Sequence, residues 1–337
     1  MAGKKTTRIP ATKLPLAGPT LAPAIELDRA KRRLDQATRA AWLYYVGDKT
    51  QDEIAARLNV SRQMTQRLIA MARTAGLVQF RIERRATECA ELSETLLARY
   101  GLRFCDVVPF SGPDTIDVAV SAAEQIEAVL AQQSPVILAI GSGRTLRSAV
   151  AHVFPSPCPQ HRIVSLVGNI TRLGRASPYE VVQRLSDLTG AEYHPMPMPV
   201  VADSIDEAAQ MRAQRVYRLL HDLVRNAHTQ FVGVGNVARG APLHQDGFVS
   251  DAELDELVAL GAVGEICGRA LDRDGRVVEH GTNRRVMAIP LDDPPDPTRI
   301  GVAAGPLKVE ALRAALRGGW LSGLITDEPT AAAILAE

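Results

Sequence analysis

Thr50-Gln51-Asp52-Glu53-Ile54-Ala55-Ala56-Arg57-Leu58-Asn59-Val60-Ser61-Arg62-Gln63-Met64-Thr65-Gln66-Arg67 reads as two short helices around a tight turn. Thr50 and Glu53 have the spacing of a capping box, in which the hydroxyl accepts from the Glu53 amide while the carboxylate reaches back. Ile54, Ala55 and Leu58 share one face of the first helix. Asn59-Val60 turns the chain, and Ser61 caps a second helix that places Met64, Leu68, Ile69 and Ala72 inward. The outward face then carries Arg62, Gln63, Thr65, Gln66 and Arg67. Forked donors and amides without carboxylates suit base edges in a DNA major groove. Thr50 and Gln51 open the preceding helix, where free backbone amides meet a phosphate.

On the N-terminal side, Leu34, Ala37, Ala41, Trp42 and Tyr45 recur at helical spacing over 28–46, and Gly47-Asp48 stops that helix. Residues 1–24 mix four basic residues with four prolines and read as a disordered basic tail without a stable helix. On the C-terminal side, Gly76 ends the second helix, and the alternation of 77–82 is expected to form the wing of a winged helix-turn-helix. These elements make 25–85 a DNA-binding domain. An amphipathic stretch around Leu92, Leu96 and Leu97 makes 86–104 a linker or docking helix.

Charge divides at the same place. Residues 1–85 hold 17 Lys and Arg against 7 Asp and Glu, while the remainder holds 22 against 31. A basic head on an acidic body fits a nucleic-acid-binding domain joined to one that does not bind nucleic acid. The longest apolar runs are too short to span a bilayer, and no apolar segment follows the first lysines, so neither membrane insertion nor a signal peptide is expected. Cys89, Cys105, Cys158 and Cys267 show no CxxC spacing, which argues against a zinc ribbon and for a reduced, cytoplasmic setting. No metal or cofactor is expected.

From about residue 105 the pattern becomes α/β. Apolar strands are expected at 107–110, 136–140, 163–167, 231–234, 286–289, 300–303 and 324–326, with helices at 115–131, 144–152, 178–189, 205–225, 251–260 and 307–317. That alternation gives a doubly wound parallel sheet for the domain 105–337. Ligands of such sheets bind beyond the C-terminal strand ends. The strand 136–140 runs into Gly141-Ser142-Gly143-Arg144-Thr145, where backbone amides, two hydroxyls and a guanidinium can meet an anion. It is neither a Walker A loop nor a full GxGxxG, and a structural glycine turn is the alternative. Asn169 and Asn236 end two other strands and either hold sugar hydroxyls or make turns. Glu265, after Gly264, suits a pair of polyol hydroxyls or a salt bridge to an arginine. Lys308 is the sole lysine after Lys49, and residues 86–337 hold 21 arginines. It is a candidate for a phosphate or ring oxygen, or an ordinary first-turn lysine.

These residues carry a family resemblance. Trp42-Leu43-Tyr44-Tyr45, Thr50-Gln51-Asp52-Glu53-Ile54-Ala55, Leu58-Asn59-Val60-Ser61-Arg62 and Ala72-Arg73-Thr74-Ala75-Gly76-Leu77-Val78 lie in the first part. Gly141-Ser142-Gly143, Gly264-Glu265-Ile266-Cys267-Gly268, Asp272-Arg273-Asp274-Gly275 and Leu324-Ile325-Thr326-Asp327-Glu328-Pro329-Thr330-Ala331 follow in order. Over residues 28–337 the chain resembles the SorC family of sugar-responsive bacterial transcriptional regulators. The resemblance implies a winged helix-turn-helix joined to an effector and oligomerisation domain similar in fold to ribose-phosphate isomerase and glucosamine-phosphate deaminase. It implies a homotetramer that pairs as dimers on palindromic half-sites of double-stranded operator DNA, controlled by a sugar phosphate or polyol from a catabolic operon. It assigns effector contacts to Ser142, Gly143, Arg144, Thr145, Glu265 and Lys308, to which the strand-end reading adds Gly141, Asn169 and Asn236. Arg144 stands where many members carry a small residue, and Pro306 removes one amide donor before Lys308. The rival expectation is a sugar-phosphate isomerase or deaminase with a DNA-binding head, which would need a positioned base such as Glu265 and an acid partner.

Overall fold

The computed structural model describes residues 21–78, 87–112, 115–171, 174–179, 181–291 and 298–336. It divides into two compact units, Met1–Glu83 and Arg84–Glu337.

The first unit holds α1 (Leu21–Tyr45), α2 (Gln51–Leu58) and α3 (Arg62–Thr74). The capping box of Thr50 and Glu53 forms as the spacing indicates, and Ser61 Oγ accepts from the Met64 amide at 3.1 Å. Asn59 adopts the left-handed conformation (φ 53°) and its N–H closes α2, a role its short polar side chain tolerates. Ala37, Ala40, Ala41, Leu43, Ile54, Leu68, Ile69 and Ala72 form the core. Small alanines on α1 let α3 approach closely.

Several expectations need correction. Helix α1 begins at Leu21, so 21–24 are helical despite Pro23. In a first turn the proline removes an N–H that has no intrahelical acceptor; residues 1–20 lie outside the described set. Leu34, Trp42 and Tyr45 are exposed, and Ala40 and Leu43 take inward places. Thr65 is fully buried and Met64 is exposed, the reverse of the periodicity reading. Of the expected wing, Leu77 and Val78 follow the turn at Gly76 without forming a strand, and 79–82 lie outside the described residues.

The second unit contains β1 (Phe104–Val108), β2 (Ile137–Ile140), β3 (Arg162–Ser165), β4 (Glu192–His194), β5 (Thr229–Asn236), β6 (Gly264–Ile266), β7 (Arg269–Leu271), β8 (Thr298–Val302) and β9 (Gly323–Asp327). Between them run α4 (Thr87–Tyr100), α5 (Ile116–Leu130), α6 (Arg144–His152), α7 (Val182–Thr189), α8 (Ile205–Arg212), α9 (Arg215–Arg225), α10 (Pro242–Gln245), α11 (Asp251–Ala259), α12 (Gly281–Arg285), α13 (Val309–Arg317) and α14 (Glu328–Leu335). Seven strands lie in the order β1-β9-β8-β5-β2-β3-β4, each neighbouring pair parallel. Apolar faces of α5, α6 and α7 cover one side; α4, α9, α13 and α14 cover the other. Covering both faces explains why the strands are apolar runs rather than alternating ones. Helix α4 belongs to this packing, with Cys89 and Leu96 in the core and Ser93 Oγ accepting from the Val107 amide.

After β2 the chain winds outward through β3 and β4. It then returns to β5 on the other side of β2 and proceeds to β8 and β9. The order therefore reverses between β2 and β5, which opens a crevice at their C-terminal ends. The hairpin β6-β7 pairs antiparallel with the last residues of β5, at that crevice.

Segment 286–289 forms no strand of the main sheet. It threads, fully buried, between two loops through isolated bridges Val167↔Ala288 and Val201↔Val286. A continuous apolar run does not distinguish such a filler from a central strand. The stretch 205–225 is two helices, broken at Gln214, which is extended. No helix among the described residues is long and apolar enough to cross a membrane.

Candidate functional site

A cavity of about 400 Å³ opens at the reversal point. The turn after β2 contributes Ser142, Gly143, Arg144 and Thr145; the end of β5 contributes Gly233, Gly235 and Asn236; the hairpin contributes Glu265; the turn after β8 contributes Lys308. Sequence order scatters these residues from 142 to 308, and the sheet gathers them. Gly141 and Asn169 do not line the cavity. Gly141 is buried against Cys267 and Phe231, and Asn169 uses its backbone to hold Met196 and Ser177.

The hairpin turn places Glu265. Cys267 (φ 50°) and Gly268 (φ 82°) both have positive φ, the signature of a two-residue type I′ connection. The Gly268 amide donates to Glu265 Oε2 at 2.7 Å. Register then sets Glu265 opposite Gly235 on β5, and its carboxylate lies where a Cβ of residue 235 would be. Burial pushes the Glu265 carboxyl above its ordinary value, opposed by the Gly268 amide and the Lys308 charge. Lys308 donates to Asn236 Oδ1 at 3.2 Å. Burial pulls the Lys308 ammonium below its ordinary value; Glu265 opposes that shift and Arg144 adds to it. This end of the cavity offers an acceptor, an amide and a compact cation, a set that matches vicinal hydroxyls or a ring oxygen.

The C-terminal motif steadies the lysine turn. Asp327 caps α14 through the Thr330 amide at 3.0 Å, and Thr330 Oγ1 accepts from the Gly305 amide at 2.8 Å. With that amide engaged and Pro306 lacking one, this turn has little capacity for a phosphate.

The opposite end differs. Gly143 (φ 140°) brings no side chain to cap α6, so the first-turn amides of α6 have no side-chain acceptor there. Arg144 Nε donates to the Tyr179 phenol oxygen at 3.3 Å, and Nη2 to Gln245 Oε1 at 2.8 Å. The Tyr179 hydroxyl donates to Asp246 Oδ2 at 2.8 Å. Tyr179, Gln245, Asp246 and Thr330 escape sequence reasoning because a loop, the end of the four-residue α10 and the first turn of α14 bring them in, segments too short to show a period. Only the Asp-Glu-Pro-Thr motif carries a local signal. Arg239 also lines the cavity, but Asp255 fills its fork at 2.6 and 2.7 Å.

On the first unit, Ser61, Arg62, Gln63, Gln66 and Arg67 are exposed at the start of α3, and Gln51 is half-buried at the start of α2. Arg62 lies 3.4 Å from Asp52. The Thr50 hydroxyl is engaged with Glu53, whose carboxyl is held below its ordinary value by the Thr50 amide first and by that hydroxyl second. Thr65 is the exception: its buried Oγ1 has no hydrogen-bond partner among the described residues, so its place on the outward face is withdrawn. The four cysteines are free thiols, and no group of three or more His, Cys, Asp or Glu among the described residues is arranged to hold a metal.

Comparison with known proteins places this geometry. A family model described as "Putative sugar-binding domain" matches residues 84–336. The erythritol catabolism regulatory protein EryD of Brucella abortus is 33% identical over 304 residues, covering 89% of this chain and 96% of that protein. The transcriptional regulator LsrR of Klebsiella pneumoniae subsp. pneumoniae is 31% identical over 306 residues, covering 88% and 92%. The full-length sorbitol operon regulator SorC from Klebsiella pneumoniae has a similar fold, with a TM-score of 0.69 at 23% identity, covering 89% and 97%.

Proposed function

The chain belongs to the SorC-like sugar-binding domain family, and from that we propose that it is a cytoplasmic DNA-binding transcriptional regulator of a carbohydrate or polyol catabolic operon. A sugar phosphate or polyol in the cavity controls it. The observation that carries this reading is the convergence of Glu265, Asn236, Lys308 and Arg144 on one cavity at the sheet's reversal point. Hydroxyl partners lie at one end and an anion partner at the other. The 33% identity to an erythritol catabolism regulator supports short polyols and their phosphates as the first candidates.

Residues 25–85 act as the winged helix-turn-helix domain. Arg62, Gln63, Gln66 and Arg67 read base edges, and Thr50, Gln51 and Ser61 meet phosphates. Residues 105–337 act as the effector and oligomerisation domain, with the fold likeness to ribose-phosphate isomerase and glucosamine-phosphate deaminase that the family implies. The assembly is a homotetramer on paired half-sites. Binding shifts the population between two arrangements of that assembly and so changes operator affinity. An isomerase reading is disfavoured by Glu265 itself: among the described lining residues it is the one carboxylate, and its Oε2 accepts from the Gly268 amide.

A thermal-shift screen over sugar phosphates and polyols tests the reading. At a hundredfold excess over Kd a true effector stabilises the protein by about 2.7 kcal/mol. If no compound raises the melting temperature, the cavity is not an effector site.

A further inference from the structure

Arg144 is oriented without being neutralised. Its two mapped hydrogen bonds go to neutral oxygens, the Tyr179 phenol and the Gln245 amide. Among the described residues it forms no ion pair. Asp246 touches Tyr179 rather than the guanidinium. The contrast with Arg239 is direct, because there two carboxylates of α11 hold the fork. An arginine filled by a carboxylate must lose that partner before it can take another anion. One held by neutral acceptors keeps its charge available.

The frame behind Tyr179 is fixed independently of the cavity. Arg147 Nη1 donates to the Pro178 carbonyl at 3.1 Å, and the Tyr179 amide donates to Ser177 Oγ at 3.3 Å, with Ser177 itself buried. The hydroxyl of Tyr179 spends its proton on Asp246, which leaves its lone pairs for Arg144. The guanidinium thus stands beside the uncapped start of α6 and the hydroxyl-bearing Ser142 and Thr145.

We propose that Tyr179, held by Asp246, is a positioning residue that presents Arg144 as an available cation and makes the cavity select effectors ending in a phosphomonoester. The proposal rests on the effector reading above. It assigns the phosphate to the Arg144 end and the hydroxyls to the Glu265 and Lys308 end. Tyr179 sets selectivity through the orientation of Arg144, and Asp246 does so as the acceptor of the phenol proton.

The test uses the full chain and matched probes: erythritol and its terminal phosphate, ribitol and its terminal phosphate, and inorganic phosphate, followed by calorimetry. The wild type is expected to prefer the phosphorylated member of a pair. Tyr179→Phe should weaken that member about tenfold, as loss of a hydrogen bond to a charged group does, and leave the plain polyol unchanged. Asp246→Asn retains an acceptor for the phenol and should hold phosphate-ester affinity within about threefold, because the group removed is a charge and not the hydrogen bond. Equal weakening of both members by Tyr179→Phe, or no weakening, overturns the proposal. So does an Asp246→Asn loss as large as that of Tyr179→Phe. If plain polyols bind the wild type and phosphorylated ones bind no better, the phosphate subsite falls while the effector reading stands. If no probe binds, both fall.

Discussion

Thr65 shows how much one side chain constrains the reading of a helix. A hydroxyl buried at 0% exposure without a partner costs free energy that a methyl group would not. Thr65→Val keeps the shape and removes the orphan. It is expected to stabilise the first unit by about 1 kcal/mol, read as a higher unfolding midpoint in urea, with operator affinity unchanged. A loss of DNA affinity in that variant would return Thr65 to the interface. The exposed Met64 beside it shows that the buried stripe of α3 begins at Thr65, then continues through Leu68, Ile69 and Ala72 as the apolar pattern suggests. Glu265 teaches the complementary lesson. Its sequence neighbours Gly264 and Gly268 signal a turn, but the glycine that makes room for its carboxylate is Gly235, about thirty positions upstream across an antiparallel pair.

At the scale of elements, α11 is held by a device whose pH dependence has a definite sign. Ser250 and Glu253 form a second capping box, and Glu253 also pairs with Arg285, which donates to the Ala202 carbonyl at 2.9 Å. Burial alone would raise the Glu253 carboxyl. The Ser250 backbone and hydroxyl and the Arg285 charge outweigh it and bring the value down to about 2, from an ordinary value of 4.5. A carboxylate depressed by folding adds stability above its unfolded value and loses it as pH falls toward its folded one. Wild type and Glu253→Gln should therefore differ most in melting temperature above pH 4.5 and converge as pH approaches about 2. A gap that stays constant through that range would mean that the carboxylate's charge contributes nothing to α11.

For the whole molecule, the two units make separable demands. The first offers an outward row of arginine and glutamine on α3, and the second offers a cavity. Arg62→Ala is expected to lower operator affinity and relax base preference by about 1–3 kcal/mol, the range for a base contact, while the thermal shift by effector is retained. Competition binding against a panel of mutated operators reads the first effect and a melting curve the second. Coupling between the units predicts that saturating effector changes operator affinity of the wild type. Equal affinity with and without effector would leave the cavity without a regulatory role.

The sequence by itself determined the two-part organisation, the capped helices α2 and α3, and the parallel α/β character of the second unit. These are written locally, in cap spacings, apolar periodicity and charge. It also nominated Ser142, Gly143, Arg144, Thr145, Asn236, Glu265 and Lys308, which line the cavity, because strand-end glycines and a lone lysine are visible without a fold. Only the tertiary structure decided the rest. The reversal of strand order between β2 and β5 chooses which strand ends face one another, and no local pattern encodes that order. The 286–289 run became filler rather than a strand of the main sheet, its backbone paired with the loop segments at 166–168 and 200–201. Tyr179, on a loop, and Gln245, at the end of the four-residue helix α10, reached Arg144 from segments too short or irregular to show a period, and Asp246, which closes α10, reached Tyr179. Even Thr65, a single position inside a well-read helix, is buried where the apolar pattern puts Met64. Close packing, unlike hydrophobicity, is a property of pairs of elements, and it appears only when the pairs are assembled.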